Sequence, residues 1–152
     1  MRRLVAAFLL CAACGGGSGS STPAPLPSLD PGFSGRWTGT TTVAIEGNPT
    51  NTFTGQIGVS VSFDHALVTQ ICPDGSGSVV AVGIGVHAQW ESATPVTCPP
   101  VIFTNCAAVT FTYVSGILDL TGPNNLTAVG LGRASGCGVS LRLTTTLVGT
   151  RT

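Results

Sequence analysis

From Phe33 to the C-terminus the chain reads as a series of alternating apolar and polar positions broken by turn residues, with no stretch of helical period. The clearest run is Phe53 to Phe63, where Phe53, Ile57, Val59, Val61 and Phe63 fall on one face and Thr54, Gln56, Ser60 and Ser62 on the other. That spacing predicts a half-buried β-strand. A first strand over Gly35 to Ile45 puts Trp37, Thr41, Val43 and Ile45 on one side and ends at Glu46-Gly47-Asn48-Pro49. Ala66 to Ile71 predicts a short strand, closed by the turn residues Cys72-Pro73-Asp74-Gly75-Ser76-Gly77. Ser78 to Trp90 predicts one long strand with Val80, Val82, Ile84, Val86 and Trp90 facing the core and small residues opposite. Glu91 to Pro100 reads as a loop and Val101 to Thr104 as a short strand.

Val109, Phe111 and Tyr113 open a further strand whose apolar phase moves to Leu118 and Leu120 after Ser115-Gly116. A phase change at a glycine is the mark of a β-bulge. After the turn at Thr121 to Asn125, Leu126 to Arg133 runs out, and Val139, Leu141, Leu143, Thr145 and Leu147 run back. Seven or eight antiparallel strands at close, regular intervals predict an all-β domain over residues 33–152. An up-and-down barrel is the favoured architecture, with a β-sandwich as the alternative. A barrel also removes open edges, which matters in a chain with only 8% charged residues to blunt them.

The N-terminal residues follow a different pattern. Arg2 and Arg3 precede an apolar run from Leu4 to Leu10, then the small pair Ala12-Ala13 and Cys14. Charged, apolar, small is the order of a secretory signal, here residues 1–13. Ala12-Ala13-Cys14 resembles the lipobox of bacterial lipoproteins, with Cys11 standing where that family prefers Leu. The resemblance implies lipidation at Cys14 and an exported, membrane-anchored protein facing the periplasm or cell surface. With Gly15 after the cysteine, it implies the outer membrane in a Gram-negative host. Residues 14–32, Gly/Ser-rich and then Pro-rich, read as a tether.

Composition narrows the function. The whole chain balances six basic against six acidic residues; without Arg2 and Arg3 it carries four against six, about −2. There is no basic patch to meet nucleic acid and no lysine for Schiff-base or Walker chemistry. Four cysteines remain in the domain, Cys72, Cys98, Cys106 and Cys137, an even number that in an exported domain reads as disulfides. They allow three pairings; Cys98–Cys106 with Cys72–Cys137 is the expected one.

Gly35-Arg36-Trp37 at the head of the first strand resembles the G-x-W that opens barrels of the lipocalin and avidin group. In that group the tryptophan seals one end of the barrel and meets a basic residue of the last strand. The resemblance implies barrel closure by Trp37 with Arg151; the helix typical of lipocalins is missing, so the likeness is to barrel architecture.

Catalytic candidates are few. His65 follows Asp64 in a turn, and His87 lies on a polar face near Gln89 and Glu91. No nucleophile-elbow motif occurs, and neither a metal-ligand pattern nor a cofactor motif stands up, so the expectation is a non-enzyme without cofactor or metal. Trp90, Phe103, Phe111 and Tyr113 fall in adjacent segments and are candidates to line a small apolar ligand site. Two functions remain open: an envelope lipoprotein barrel with a small apolar ligand or a scaffold role, and a protein–protein module such as an inhibitor of a lysozyme or protease. A cavity inside the sheet would favour the first; a solid core with a protruding loop, Glu91 to Pro100, would favour the second.

Overall fold

The computed structural model describes residues 27–72, 74–103 and 106–152; the side chains of Phe103 and Ala107 are not described. The signal, Cys14 and most of the tether lie outside these residues. A short 3-10 helix, Pro31–Phe33, leads into nine strands: β1 Gly35–Ile45, β2 Asn51–Phe63, β3 Ala66–Gln70, β4 Ser78–Ile84, β5 His87–Thr97, β6 Val101–Phe103, β7 Cys106–Gly122, β8 Asn125–Gly136 and β9 Val139–Arg151. The fold is all-β and antiparallel, and its ring closes when β1 pairs with β9 and β5 with β7. Nine strands rather than seven or eight are described, yet the ring has eight positions. Strands β5 and β6 share one of them, lying end to end along the same edge of β7.

The register puts β1 against residues 143–151 of β9, Trp37 opposite Arg151 and Ile45 opposite Leu143. Alternation then sends Trp37, Val43, Val59, Leu67, Leu118, Leu126 and Leu143 into the barrel, where all are buried. The bulge expected near Gly116 is present: the β7–β8 register shifts between Tyr113 and Ser115, which turns Leu118 inward along with Phe111 and Tyr113.

One end of the barrel is plugged by the chain that leads into it. Leu29 and Phe33 are buried in the core, and Leu29 forms a parallel bridge to Gly85. The folded unit therefore begins at least four residues before Phe33, which corrects the expected tether boundary at residue 32. Phe33 accepts a hydrogen bond from the Trp37 indole at 3.0 Å through its carbonyl. The Arg151 guanidinium stands 5.0 Å from the centroid of that ring and donates to the carbonyl of Gly32.

The plug explains the largest departure from the expected pattern. Ser78 to Trp90 is two strands, not one, turning at Gly85 with a positive φ of 54°. The phase of β4 is also the reverse of that expected: Val79 and Ala81 are buried, while Val80, Val82, Ile84 and Val86 are exposed. At this level the interior is already filled by Leu29, Phe33, Trp37 and Leu67, so the inward positions must be small. Two ring positions fail in a similar way. Phe63 is 77% exposed because the β2–β3 register shifts after Val61, and Phe53 stands at the rim, 41% exposed.

The other end carries the two disulfides. The bonds are Cys72–Cys98 and Cys106–Cys137, so the expected pairs Cys98–Cys106 and Cys72–Cys137 are incorrect. The reason is register. The amide of Cys98 bonds to the carbonyl of Phe111, five residues along β7 from Cys106. At ~3.4 Å per residue that is about 17 Å, far beyond the ~7 Å Cα separation a disulfide tolerates. The observed pairs have Cα separations of 5.4 and 5.9 Å. Two such bonds are suited to an oxidising, exported environment. No helix among the described residues is long and apolar enough to cross a membrane.

Candidate binding site

The interior is not completely filled. A cavity of about 70 Å³ lies in the middle of the barrel, with Trp90, Tyr113, Thr69, Ala128, Thr145 and Leu147 among its lining residues. Glycines create the room that the rings occupy. A Cβ on Gly116 would stand 2.6 Å from the Trp90 Nε1, and one on Gly130 would stand 3.1 Å from the Tyr113 ring. Both aromatic residues are almost fully buried, and each ring occupies the space beside a glycine of the neighbouring strand.

The four aromatic candidates do not form one set. Trp90 and Tyr113 line the cavity; Phe111 is buried in the core but does not line it. Phe103 belongs to β6, and its side chain lies outside the described residues. The lining residues Thr69, Thr145 and Leu147 were not expected, because an alternating pattern shows which face is inward without showing where the packing stops.

Burial raises the pKa of the Tyr113 phenol above its ordinary value of 10.0, and a hydrogen bond with Thr145 works weakly the other way. Tyr113 is the single tyrosine of the chain, so its titration can be read directly. Because the folded pKa is the higher one, the unfolded chain ionises first. Stability is then intact below pH 10 and declines as pH rises above it. The expected result is a phenolate absorbance midpoint above 10 in the native protein that returns to the ordinary value in denaturant. A native midpoint at the ordinary value would contradict the buried placement.

The cavity reaches the surface between β2 and the β3–β4 connection, where Phe53, Gln56, Gln70, Ile71 and Cys72 surround it. Gln70 spans part of this mouth, its Oε1 accepting from the amide of Gly58 at 2.8 Å. The connection itself continues the β3–β4 hairpin by main-chain bonds from Ile71 to Gly77 and from Cys72 to Ser76. At its tip, Asp74 accepts from the Ser76 hydroxyl at 2.6 Å and from the Ser76 amide at 3.0 Å, and these bonds hold its carboxyl below the usual value. The Cys72–Cys98 bond ties this hairpin to the end of β5.

The histidines lie elsewhere. His65 is exposed in the β2–β3 turn, its ring 3.4 Å from the Gly83 carbonyl. His87 is on the outer face, its Nδ1 2.5 Å from the Asp119 carboxylate; the sequence places it near Gln89 and Glu91 and does not show Asp119, which is 32 residues away. No cluster of metal-ligating side chains occurs among the described residues. The segment Glu91 to Pro100, expected as a loop, is strand β5 as far as Thr97, with an irregularity between Glu91 and Val96.

No protein-family model matches the chain, and no curated protein does either. Among solved structures, a redesigned β-barrel resembles it at 17% identity with a TM-score of 0.40, over 80% of this chain and 92% of its own.

Proposed function

We propose that the protein is an exported β-barrel lipoprotein, anchored by lipid on Cys14, whose domain acts by binding a protein partner. The single observation that carries the choice of partner is the small size of the cavity inside the barrel; the larger hollow, about 660 Å³, is an open concavity over the exposed side chains of Val80, Val82, Ile117 and Leu131. Pockets for drug-sized ligands measure ~300–1,000 Å³, and the barrel cavity is about 70 Å³. A lodged water needs ~10–15 Å³ on such a measure, so the space suits a few such groups, on the scale of one aliphatic side chain. A free ligand of lipocalin size would require the aromatic packing on Gly116 and Gly130 to be undone. An inhibitor of an envelope enzyme is one form such a module could take.

Three observations support the rest of the reading. Ala12-Ala13-Cys14 has the form of a lipobox. The two disulfides suit the compartment that such a signal would reach. The chain also enters at the plugged end beside Gly85, so a tether attached there leaves the disulfide end and the cavity mouth directed away from a membrane. The Trp37–Arg151 closure is the feature shared with the lipocalin and avidin group, and we read that kinship as architectural.

Cys14→Ser should move the protein from the membrane to a soluble fraction, unprocessed or differently cut. Unchanged membrane partitioning and mobility would overturn the lipid anchor. Native mass spectrometry of protein isolated from its own host tests the partner class. The expected species carries the lipid mass on Cys14 and no stoichiometric small molecule; a retained apolar compound would overturn the protein-binding reading.

A further inference from the structure

Strand β2 is longer than its neighbour on one side. It pairs with β1 over Asn51 to Val59, but with β3 only from Val59 onward, so its first eight residues have no strand beside them on the β3 side. Strand alternation fixes which main-chain groups face that opening. The amide of Gly58 points into it, toward Gln70, while the amide of Val61 points the opposite way, to the Ser34 hydroxyl at 3.0 Å. By the same alternation Thr52, Thr54 and Gln56 direct both N–H and C=O into the opening. Among the described residues none of these groups meets a partner there.

Open edges are ordinarily blunted by charge, proline or a bulge. Asn51 to Gly58 has none of these: it contains no charged residue and no proline, and its register with β1 is unbroken. The β3–β4 hairpin would be the natural cover, but Cys72–Cys98 holds it toward β5. The mouth of the cavity opens at this same edge, beside Phe53 and Gly55.

We propose that the edge of β2 from Asn51 to Gln56 takes up an extended segment of a partner protein as an added strand, with one aliphatic side chain of that segment seated in the cavity beside Phe53. The proposal rests on the protein-binding reading above and names its site. Strand addition satisfies the three exposed N–H and C=O pairs, and the pocket beside the edge selects an alternate side chain. A second copy of β2 would bring the Phe53 ring, the bare Gly55 or Ile57 to the cavity, and edge amides already protected in the free protein would mark that occupant. The chain's own tether carries Pro23, Pro25 and Pro27 at alternate positions, so seating its one large aliphatic residue there, Leu26, in the cavity would turn Pro25 and Pro27, which cannot donate, to the ladder. Asp74 is the one charged residue on the hairpin that borders the mouth, which favours a neutral or basic segment.

The test uses the protein as isolated in detergent and capped heptapeptides, Lys-Thr-Ser-Leu-Ser-Thr-Lys and the same peptide with Gly at its centre. The Leu peptide should protect the amides of Thr52, Thr54 and Gln56 from exchange and bind more tightly than the Gly peptide. Thr54→Pro removes a donor that faces the opening and leaves the β1 ladder intact; it should weaken binding about tenfold. Ala128→Leu, which fills the cavity from the far wall, should abolish the preference for Leu over Gly. Should Thr54→Pro unfold the domain, the Ala128→Leu comparison still decides. Protection elsewhere on the barrel, equal binding by Thr54→Pro, or edge amides already protected in the free protein by a second copy or the tether would each overturn the proposal. A small molecule retained from the host would instead overturn the broader reading.

Discussion

Trp37→Ala is expected to destabilise the domain by ~3–5 kcal/mol, the range for removing a fully buried tryptophan. Its indole is completely buried at the plugged end, and two further interactions depend on it. The indole N–H bond to Phe33 holds the 3-10 helix in place. The ring face meets the Arg151 guanidinium, worth ~0.5–2 kcal/mol according to desolvation. The same arginine donates to Gly32, so the plug, the first strand and the last strand meet on one side chain. Trp37→Phe should keep most of the packing and lose the bond to Phe33, costing less. Denaturant unfolding measures both variants; a Trp37→Ala loss below ~1 kcal/mol would mean that this end is not a closed, packed seal.

Removing both disulfides, by Ser at all four positions, is expected to cost more still. The bonds join residues 26 and 31 positions apart. On the chain-entropy account each stabilises by ~3–4 kcal/mol, and the two together by a large share of a domain's ordinary ~5–15 kcal/mol. The effect should not be equal at both sites. Cys72 and Cys98 are buried, and Gly77 packs so closely on the first bond that a Cβ there would stand 2.6 Å from the Cys72 sulfur. Strand β4 pairs with β5 over Val82 to Ile84 alone, so beyond that the Cys72–Cys98 bond takes the place of ladder bonds. Its loss should therefore loosen the β4–β5 seam as well as the unfolded chain. Thiol counting on denatured, unreduced protein should find none of these four cysteines free; four reactive thiols in freshly isolated material would contradict the pairing altogether.

Much of the barrel was legible from alternation and turn residues. Strand β1 has the bounds Gly35 to Ile45 that its pattern predicts, and the phase change at Ser115-Gly116 marks a true register shift. An even number of ring positions makes the first and last strands antiparallel neighbours, which is how Arg151 comes to lie opposite Trp37. The misreadings share a physical cause. Val80, Val82 and Ile84 read as core because they are the larger residues, but which face turns inward depends on what already fills the barrel. The filling is Leu29 and Phe33, from a proline-rich segment with no periodicity of its own. The disulfide pairs depend on how far β7 runs past the end of β5, a register that no local pattern records. The cavity mouth was hidden for a related reason. Strand β2 reads as an ordinary strand over its whole length, and only the shorter span of β3 leaves half of its edge open.

Hydrogen exchange resolved at single amides along β2 tests that open edge most directly. Phe53, Gly55 and Ile57 turn their amides to β1, whereas Thr52, Thr54 and Gln56 turn theirs to the opening. In the free protein strict alternation is expected, with slow exchange at residues 53, 55 and 57 and exchange at loop rates at 52, 54 and 56. Uniform protection across all six would contradict it, because the wall would then be continuous and no strand could be added.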